Sequence, residues 1–208
     1  MNKNHSFYIW AINNWAKACL PFGIFLLLLG PFILKGVGFE AFLIFLLLPV
    51  YMVHQYEEHA HVEFKIFVNN FVGKGKEVLN DKAIFWINIL AVWLVGLSGF
   101  YLSVYVSLAY GLAIGYLTVF NGFLHVVVGV LKRSFNPGFW TSLIVFLPLG
   151  SYTLYAISQA THARAAQHAL GLSVAILIHA VIIIYIRRIK NRDAYNTVRH
   201  DSCFLRNT

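Results

Sequence analysis

The sequence predicts an all-α integral membrane protein, a bundle of about six transmembrane helices. Of the 208 residues, 59% are hydrophobic and only 12% are charged, whereas soluble domains carry about 25% charged residues. The apolar residues form long unbroken runs instead of the alternating pattern of barrel strands. Because backbone polar groups in lipid must be satisfied within their own segment, such runs are typical of helices that cross a membrane. The composition excludes a soluble globular domain.

Each span is located by a run of apolar residues, of which about 20 are needed to cross the hydrocarbon layer. The first run, residues 18–34, is short and contains Pro21 and Pro31, so it is a marginal span. The second begins at Phe39 and ends in polar residues. The third and fourth share residues 83–131, a stretch without Asp, Glu, Lys or Arg that is long enough for two helices and a turn. One domain, 1–186, is predicted with spans at 18–34, 39–62, 83–104, 110–131, 137–160 and 165–186, and a basic tail follows at 187–208.

Basic residues predict the orientation of the bundle. With the N-terminus inside, all of the 16 Lys and Arg residues except Lys35 and Arg164 lie in inside segments. Because cytoplasmic loops are enriched in basic residues, both termini are predicted to be cytoplasmic. The net charge of +8 is spread between apolar blocks, which favours the lipid bilayer over nucleic acid as the partner. Cys19 and Cys203 form no short pair, which argues against a disulfide framework.

The polar end of the second span carries the residues most typical of chemistry. Four of them share one helix face because they follow the i, i+3, i+4, i+7 spacing. They are His54, Glu57, Glu58 and His61. Imidazole and carboxylate groups one turn apart are a common way to build a metal site inside a helical bundle. The plainer interpretation is that these residues mark the wet end of the span.

Two further histidines lie at a matching depth in other spans. His125 lies seven residues before Lys132, the inner end of the fourth span. His179 lies eight residues before Arg187, the inner end of the sixth. At 1.5 Å per residue, both are about 10–12 Å from the inner boundary, and His54 falls at a similar level. A single buried histidine is often only hydrogen-bonded, but ionisable groups inside a membrane usually face a functional interior. The three histidines are therefore predicted to converge.

This convergence predicts a metal centre of imidazole and carboxylate ligands, which suits zinc or iron. One glutamate could be a general base instead of a ligand, and Asn121, one turn before His125, could orient a ligand or substrate. With a second metal, both glutamates and His61 or His59 would join, and oxidative iron chemistry would be favoured. The predicted metal ligands are His54, Glu57, Glu58, His61, His125 and His179, and the predicted catalytic residues are Glu57, Glu58 and Asn121.

A helix start near this level suggests an anion-binding site. Asn136 is a good helix cap, and Pro137 is a favoured first helical residue. Helix N-termini carry partial positive charge, so this one, with basic residues beside it, could bind an anionic substrate group. The alternative is an ordinary helix start. The predicted substrate-binding residues are Lys132, Arg133, Asn136 and Gly138.

Three sequence elements together resemble a known family. The His-x-x-Glu-Glu element at 54–58 resembles the motif that names the HXXEE-domain membrane proteins. Asn-x-x-x-His at 121–125 and Pro-Gly-x-x-Thr at 137–141 are similar to later parts of that pattern, and the resemblance spans residues 39–185. An aromatic residue usually precedes the Pro-Gly pair, whereas this chain has Asn136. The family implies which residues to suspect, but it implies no reaction.

Three functions fit these features. The first is a metal-dependent membrane enzyme that acts on an amphipathic or lipid-like substrate, as a hydrolase with one metal or by di-iron-type oxidation with two. The second is a proton-coupled transporter that uses the same histidines and glutamates as a relay. The third is a structural membrane protein whose polar cluster holds helices together. Metal content separates the first from the other two, and a homo-oligomer is compatible with all three.

Overall fold

The computed structural model of the protein describes residues 3–204, and it describes side chains for residues 6–192. Every regular element in residues 3–204 is helical. Six of the helical stretches are long and apolar enough to cross a membrane, which confirms the predicted all-α membrane fold. They are Ser6–Leu28, Phe39–His59, Asp81–Tyr105, Leu108–Lys132, Phe139–Thr161 and Ala165–Arg192.

The first span differs from the predicted residues 18–34. Helix α1, Lys3–Leu28, begins well before that run, and the short helix α2, Gly30–Val37, follows it. Packing holds the earlier turns, because Trp15 is buried in a core cluster with residues of later helices. The opposite face carries exposed polar side chains such as Lys17. A search for unbroken apolar runs therefore misses this amphipathic part of the span.

Helix α3, Phe39–His59, is the central element of the bundle. It packs against helices of the first, third, fourth and fifth spans. After α3 the chain turns into the short helix α4, Glu63–Phe71, which packs back against it. The segment after α4 is fixed by Asn69, whose side chain bonds the backbone of Val78 and Leu79. These bonds hold α4 across the end of the bundle at which α3 ends.

The third span has an irregular middle. It consists of α5, Asp81–Ile87, a π-helical segment, Asn88–Leu94, and α6, Val95–Tyr105. The side chain of Asn80 caps its beginning, as asparagine commonly does. π-Helical turns are rare and are often found at functional sites. This one begins at Asn88, which is buried. The Asn88 side chain contacts His59 at the end of α3.

Helix α7, Gly111–Lys132, is joined to the fifth span by a β-turn. The Phe139 N–H donates to the backbone oxygen of Asn136 at 3.0 Å, and Gly138 has a φ of 87° and a ψ of −2°. These angles are those of the third residue of a type II turn, which requires a positive φ. The sequence predicts that the span begins at Pro137 with Asn136 as its cap. In the structure it begins at Phe139, because the turn occupies those residues.

The last two spans complete the bundle. The fifth runs from α8, Phe139–Thr141, through a π-helical segment to α9, Leu147–Thr161. Helix α10, Ala165–Phe204, forms the sixth span and continues as a helix into the predicted tail. Residues 205–208 of that tail lie outside the described residues.

Candidate metal centre

Three ionisable side chains from two helices meet inside the bundle. His54 and Glu58 lie one turn apart on α3, and His125 lies on α7. Glu58 Oε2 is 3.4 Å from His54 Nε2, and Glu58 Oε1 is 3.4 Å from His125 Nε2. One ligand atom from each residue lies within 4.8 Å of the other two, and both α3 residues are buried. This group could hold a metal ion.

Asn136 determines which nitrogen of His125 carries the proton. The Asn136 amide nitrogen donates to the backbone oxygen of His125 at 2.8 Å, so the amide oxygen faces the imidazole ring. That oxygen is 2.8 Å from His125 Nδ1. Because an amide oxygen can only accept, Nδ1 is the donor. In the neutral ring, Nε2 then has a free electron pair on the side of Glu58.

His54 is held by a carboxylate through a hydroxyl group. Glu57 accepts the backbone N–H groups of Trp140 and Thr141, at 3.1 and 2.8 Å, and also the Thr141 hydroxyl. Since the Thr141 hydroxyl proton goes to Glu57, Thr141 Oγ1 accepts from His54 Nδ1, which is 2.7 Å away. The electron pair of the neutral His54 ring is therefore on Nε2, which faces Glu58 and the Asn121 nitrogen. Histidines that bind a metal usually donate the other ring N–H to an acceptor that fixes the ring, and Thr141 is such an acceptor for His54.

A third imidazole, that of His59, touches the same carboxylate. His59 Nε2 lies 3.2 Å from Glu58 Oε2 and 3.2 Å from the side-chain nitrogen of Asn88. The indole N–H of Trp93 donates to Gln55 Oε1 at 2.7 Å, which fixes the direction of the Gln55 amide. Gln55 then donates to Asn88 Oδ1 at 2.9 Å, and Asn88 presents its nitrogen to His59. This chain of amides favours an acceptor at His59 Nε2.

These hydrogen bonds leave a buried negative charge to be compensated. In the described part of the chain, the polar contacts of Glu58 are with the three imidazoles, whose Nε2 atoms carry electron pairs when neutral. A buried carboxylate is costly unless its charge is paired. A metal ion held by Glu58 and the imidazoles would pair that charge and use the electron pairs. A proton on one of the rings is the alternative source of positive charge.

Gly138 is the residue at which the backbone comes very close to two of the rings. A Cβ atom here would lie 2.7 Å from His54 Cε1 and 2.9 Å from His125 Cε1, well inside the ~3.5 Å contact distance of carbon atoms. The residue that the sequence predicts to bind substrate therefore packs against the candidate ligands. Its lack of a side chain is what lets the turn reach them.

The other predicted ligands lie outside this group. Glu57 is directed to the start of the fifth span. His61 is exposed, two residues beyond the end of α3. His179 reaches only as far as Asn121, whose side-chain oxygen is 3.4 Å from His179 Nε2. The Asn121 nitrogen is 3.3 Å from His54 Nε2, so this predicted catalytic residue lies between the two histidines.

The anion-binding position that the sequence predicts is filled by Glu57 of the protein itself. The two backbone N–H groups at the start of the fifth span donate to its carboxylate. Lys132 Nζ lies instead 3.8 Å from the centre of the Phe71 ring. Arg133 is exposed and ends α7 in the left-handed conformation, with a φ of 51°. Asn136 turns inward to its histidine, so the four predicted residues do not form one substrate site.

A cavity of about 230 Å³ lies beside the candidate ligands. One part of its wall is polar and is formed by Glu58, His59 and His125, with Asn121 and His179 near them. Aliphatic and phenyl side chains from α4, α5, α7 and α10 form most of the remainder. The cavity therefore offers an apolar space that reaches the polar group.

Sequence reasoning missed the amide network around His59. Gln55, Asn88 and Trp93 orient this histidine, which the sequence suggests only as an alternative to His61. One signal was available, because Asn88 is an amide within an uncharged apolar run. A polar side chain at such a position needs a hydrogen-bond partner inside the bundle.

Comparison with known proteins agrees with the sequence motif. The search of the curated proteins and the search of the solved structures found no match. The family model described as "Protein of unknown function with HXXEE motif" matches residues 45–153. That stretch is about half of the chain and contains all three candidate ligands. The chain belongs to this HXXEE family.

Proposed function

We propose that the protein is a metal-dependent membrane hydrolase in which His54, His125 and Glu58 hold a zinc ion. The hydrogen bonds to the Nδ1 atoms of the two histidines carry this proposal. Thr141 and Asn136 keep the proton of each histidine on Nδ1, which leaves both Nε2 atoms unprotonated beside Glu58. Two histidines and a glutamate are the protein ligands of one class of catalytic zinc site, in which a fourth position stays open.

The open position would face the cavity, since Glu58 and His125 both line it. Zinc in such a site supplies a water nucleophile at neutral pH and polarises a carbonyl oxygen. In the hydrolysis, the water oxygen bonds to the carbonyl carbon of an ester or amide. The bond from that carbon to the leaving oxygen or nitrogen then breaks, and the reaction needs no oxidant.

His59 is the residue best placed to move the proton. Its Nε2 is 3.2 Å from Glu58 Oε2, and the ring lines the cavity, so it can accept a proton from water and return it to the leaving group. Glu57, a candidate base from the sequence, would act as a positioning residue for His54. Asn121 also lines the cavity, and its amide could donate to the carbonyl oxygen of the substrate.

The distribution of Lys and Arg residues indicates on which side of the membrane the metal centre lies. The end of the bundle nearest the site carries most of the basic residues, and such ends are enriched on the cytoplasmic side. We infer that both termini and the metal centre are cytoplasmic. A C-terminal reporter that is active only outside the cytoplasm should stay silent, and a signal from it would reverse this orientation.

Metal content tests the proposed function. Protein purified in detergent without chelator is expected to contain about one zinc ion per chain, and His125→Ala is expected to lose it. His168→Ala is the matched control, because this membrane histidine bonds Tyr116 and Ser158, away from the centre. If the protein takes up no zinc and its thermal stability is unchanged in chelator, a proton compensates Glu58 and the metal enzyme is wrong. Iron in place of zinc would contradict the hydrolase.

A further inference from the structure

We propose that the cavity binds the acyl chain of a neutral, lipid-like ester or amide, with the carbonyl group held beside Glu58 and His125. This inference rests on the proposed hydrolase and names its class of substrate. The lining of the cavity, its length and volume, and the helix that separates it from the surface support this substrate class.

The lining favours an uncharged chain. Most of the wall beyond the polar group is aliphatic or phenyl, with Phe67, Val68, Ile84, Ile182 and Ile186 as examples. Among the described residues that line the cavity, none is a Lys or Arg that could pair with an anionic group. Since burying an unpaired charge is costly, the enclosed part of the ligand should be neutral and apolar. A charged headgroup, if present, would stay outside.

The size of the cavity favours a chain of medium length. Along α10, the part of the lining that runs from the polar residue His179 to Ile186 is about 10 Å long at 1.5 Å per residue. A carbon chain with bonds of about 1.5 Å advances about 1.25 Å per carbon, so this length holds about eight carbons. A methylene group is similar in size to a water molecule, which occupies about 30 Å³ in the liquid. The volume of about 230 Å³ then also holds about eight groups.

Helix α4 separates the cavity from the surface at this end of the bundle. Phe67 lines the cavity, whereas Ile66 on the same helix is 50% exposed. The C-terminal end of α4 is held in place by Lys190, whose Nζ donates to the Val72 oxygen at 2.7 Å. Glu63 and Asn70 are exposed with Ile66, while Phe67 and Val68 face the cavity, and such a short amphipathic helix suits the boundary between lipid and headgroups. An amphipathic substrate would approach the cavity from that boundary.

A series of p-nitrophenyl esters tests the length of the chain. The zinc-loaded protein in detergent should hydrolyse the octanoate with a kcat/KM on the order of a hundredfold above the butyrate, because each buried methylene contributes about fourfold. The hexadecanoate should gain nothing further over the octanoate. Equal values for butyrate and octanoate, or a continued rise to hexadecanoate, would overturn the inferred chain length.

Two neighbouring residues of α10 provide a matched pair of variants. Ile182 lines the cavity, whereas Ile183 faces outward and is 48% exposed. Ile182→Trp should lower the preference for octanoate over butyrate about tenfold or more, with zinc retained, and Ile183→Trp should keep the preference. If Ile182→Trp does not fold, Ile182→Phe should show a smaller loss in the same direction. An unchanged preference in the Ile182 variant would refute the cavity as the chain site.

A binding measurement separates failure of this inference from failure of the hydrolase. Octan-1-ol should raise the melting temperature more than butan-1-ol does, in the wild type and in the metal-deficient His125→Ala protein alike. The difference should disappear in Ile182→Trp. If no ester is hydrolysed but this pattern holds, the hydrolase is wrong and the chain-binding cavity stands. If octan-1-ol gives no advantage in the wild type, the cavity inference is wrong whatever the esters show.

Discussion

Asn136 and His125 bond each other twice. The Asn136 amide nitrogen donates to the backbone oxygen of His125, and the Asn136 oxygen accepts from His125 Nδ1, both at 2.8 Å. Asn136 is also the first residue of the type II turn that connects α7 to the fifth span. The residue that shapes the turn therefore also sets the tautomer of a candidate ligand, so the connection and the metal centre depend on each other.

Asn136→Ala should weaken zinc binding about 10–100-fold, the usual effect of removing a group that orients a metal ligand. The variant leaves the His125 Nδ1–H without its acceptor, and the ring is no longer held with Nε2 toward Glu58. Zinc affinity can be measured by competition with a chromogenic chelator.

Thr153→Ala is the control for loss of a buried polar group in the same bundle. Thr153 is fully buried, and within the described residues its hydroxyl bonds only the Leu149 oxygen of its own helix. Its zinc affinity should equal that of the wild type. Equal affinities for the wild type and the Asn136 variant would mean that the amide does not set the tautomer of His125.

The hydroxyl group of Thr141 should be required for full stability and full zinc affinity. Thr141→Val keeps the size of the side chain but leaves the His54 Nδ1–H without a partner, while the Glu57 oxygen that loses the hydroxyl keeps the backbone N–H of residue 141. An unsatisfied buried polar group costs about 1–3 kcal/mol, so the melting temperature and the zinc affinity should both fall. Thr141→Ser should keep most of both, because it retains the hydroxyl. The idea fails if the Val and Ser variants behave alike.

Gly138→Ala should disrupt the metal centre, and Gly75→Ala shows how much of the effect is backbone strain. Both glycines have a φ of 87°, and a left-handed conformation costs other residues about 1–2 kcal/mol. A Cβ at Gly75 meets no atom within 4 Å among the described residues, whereas one at Gly138 would clash with His54 and His125. Gly138→Ala should therefore lower the melting temperature further and lose zinc, while Gly75→Ala keeps it. The same loss in both variants would leave no role for the contact with the rings.

The depth of the site could be predicted from the sequence, because the rise of a helix is constant at 1.5 Å per residue. This is why His54 and His125, on different helices, were expected at one level and are found there. The direction of a side chain depends also on where its helix ends. The i+7 position of His61 requires α3 to continue, but α3 ends at His59, and His61 is exposed.

The outer partners of the histidines depend on packing and turn geometry, which local patterns do not encode. The Asn136-Pro137 pair reads as a helix start, because both residues are common there. The Asn136 amide faces the His125 ring, 11 positions earlier in the chain, only because the β-turn folds back onto α7. The six spans, in contrast, were predictable because the thickness of the bilayer sets the length of an apolar helix.

Adjacent in sequence, Glu57 and Glu58 should respond differently to the same substitution. Glu58 contacts three imidazole rings, whereas Glu57 accepts two backbone N–H groups and the Thr141 hydroxyl. Glu58→Gln removes the anionic ligand and should abolish stoichiometric zinc binding. Glu57→Gln keeps one oxygen, which can accept one of the two backbone N–H groups and leaves the other without its acceptor, so it should weaken zinc affinity only about 10–100-fold.

Equilibrium dialysis against a series of zinc concentrations distinguishes these outcomes, because it separates a lost site from a weakened one. Glu57→Gln should still reach about one zinc ion per chain at high zinc, and Glu58→Gln should not. His61→Ala, a change three to four residues away at an exposed position, should bind as the wild type does. If both glutamine variants lose zinc completely, both carboxylates are ligands, as a two-metal site requires, and the assignment of Glu57 to an orienting role is wrong.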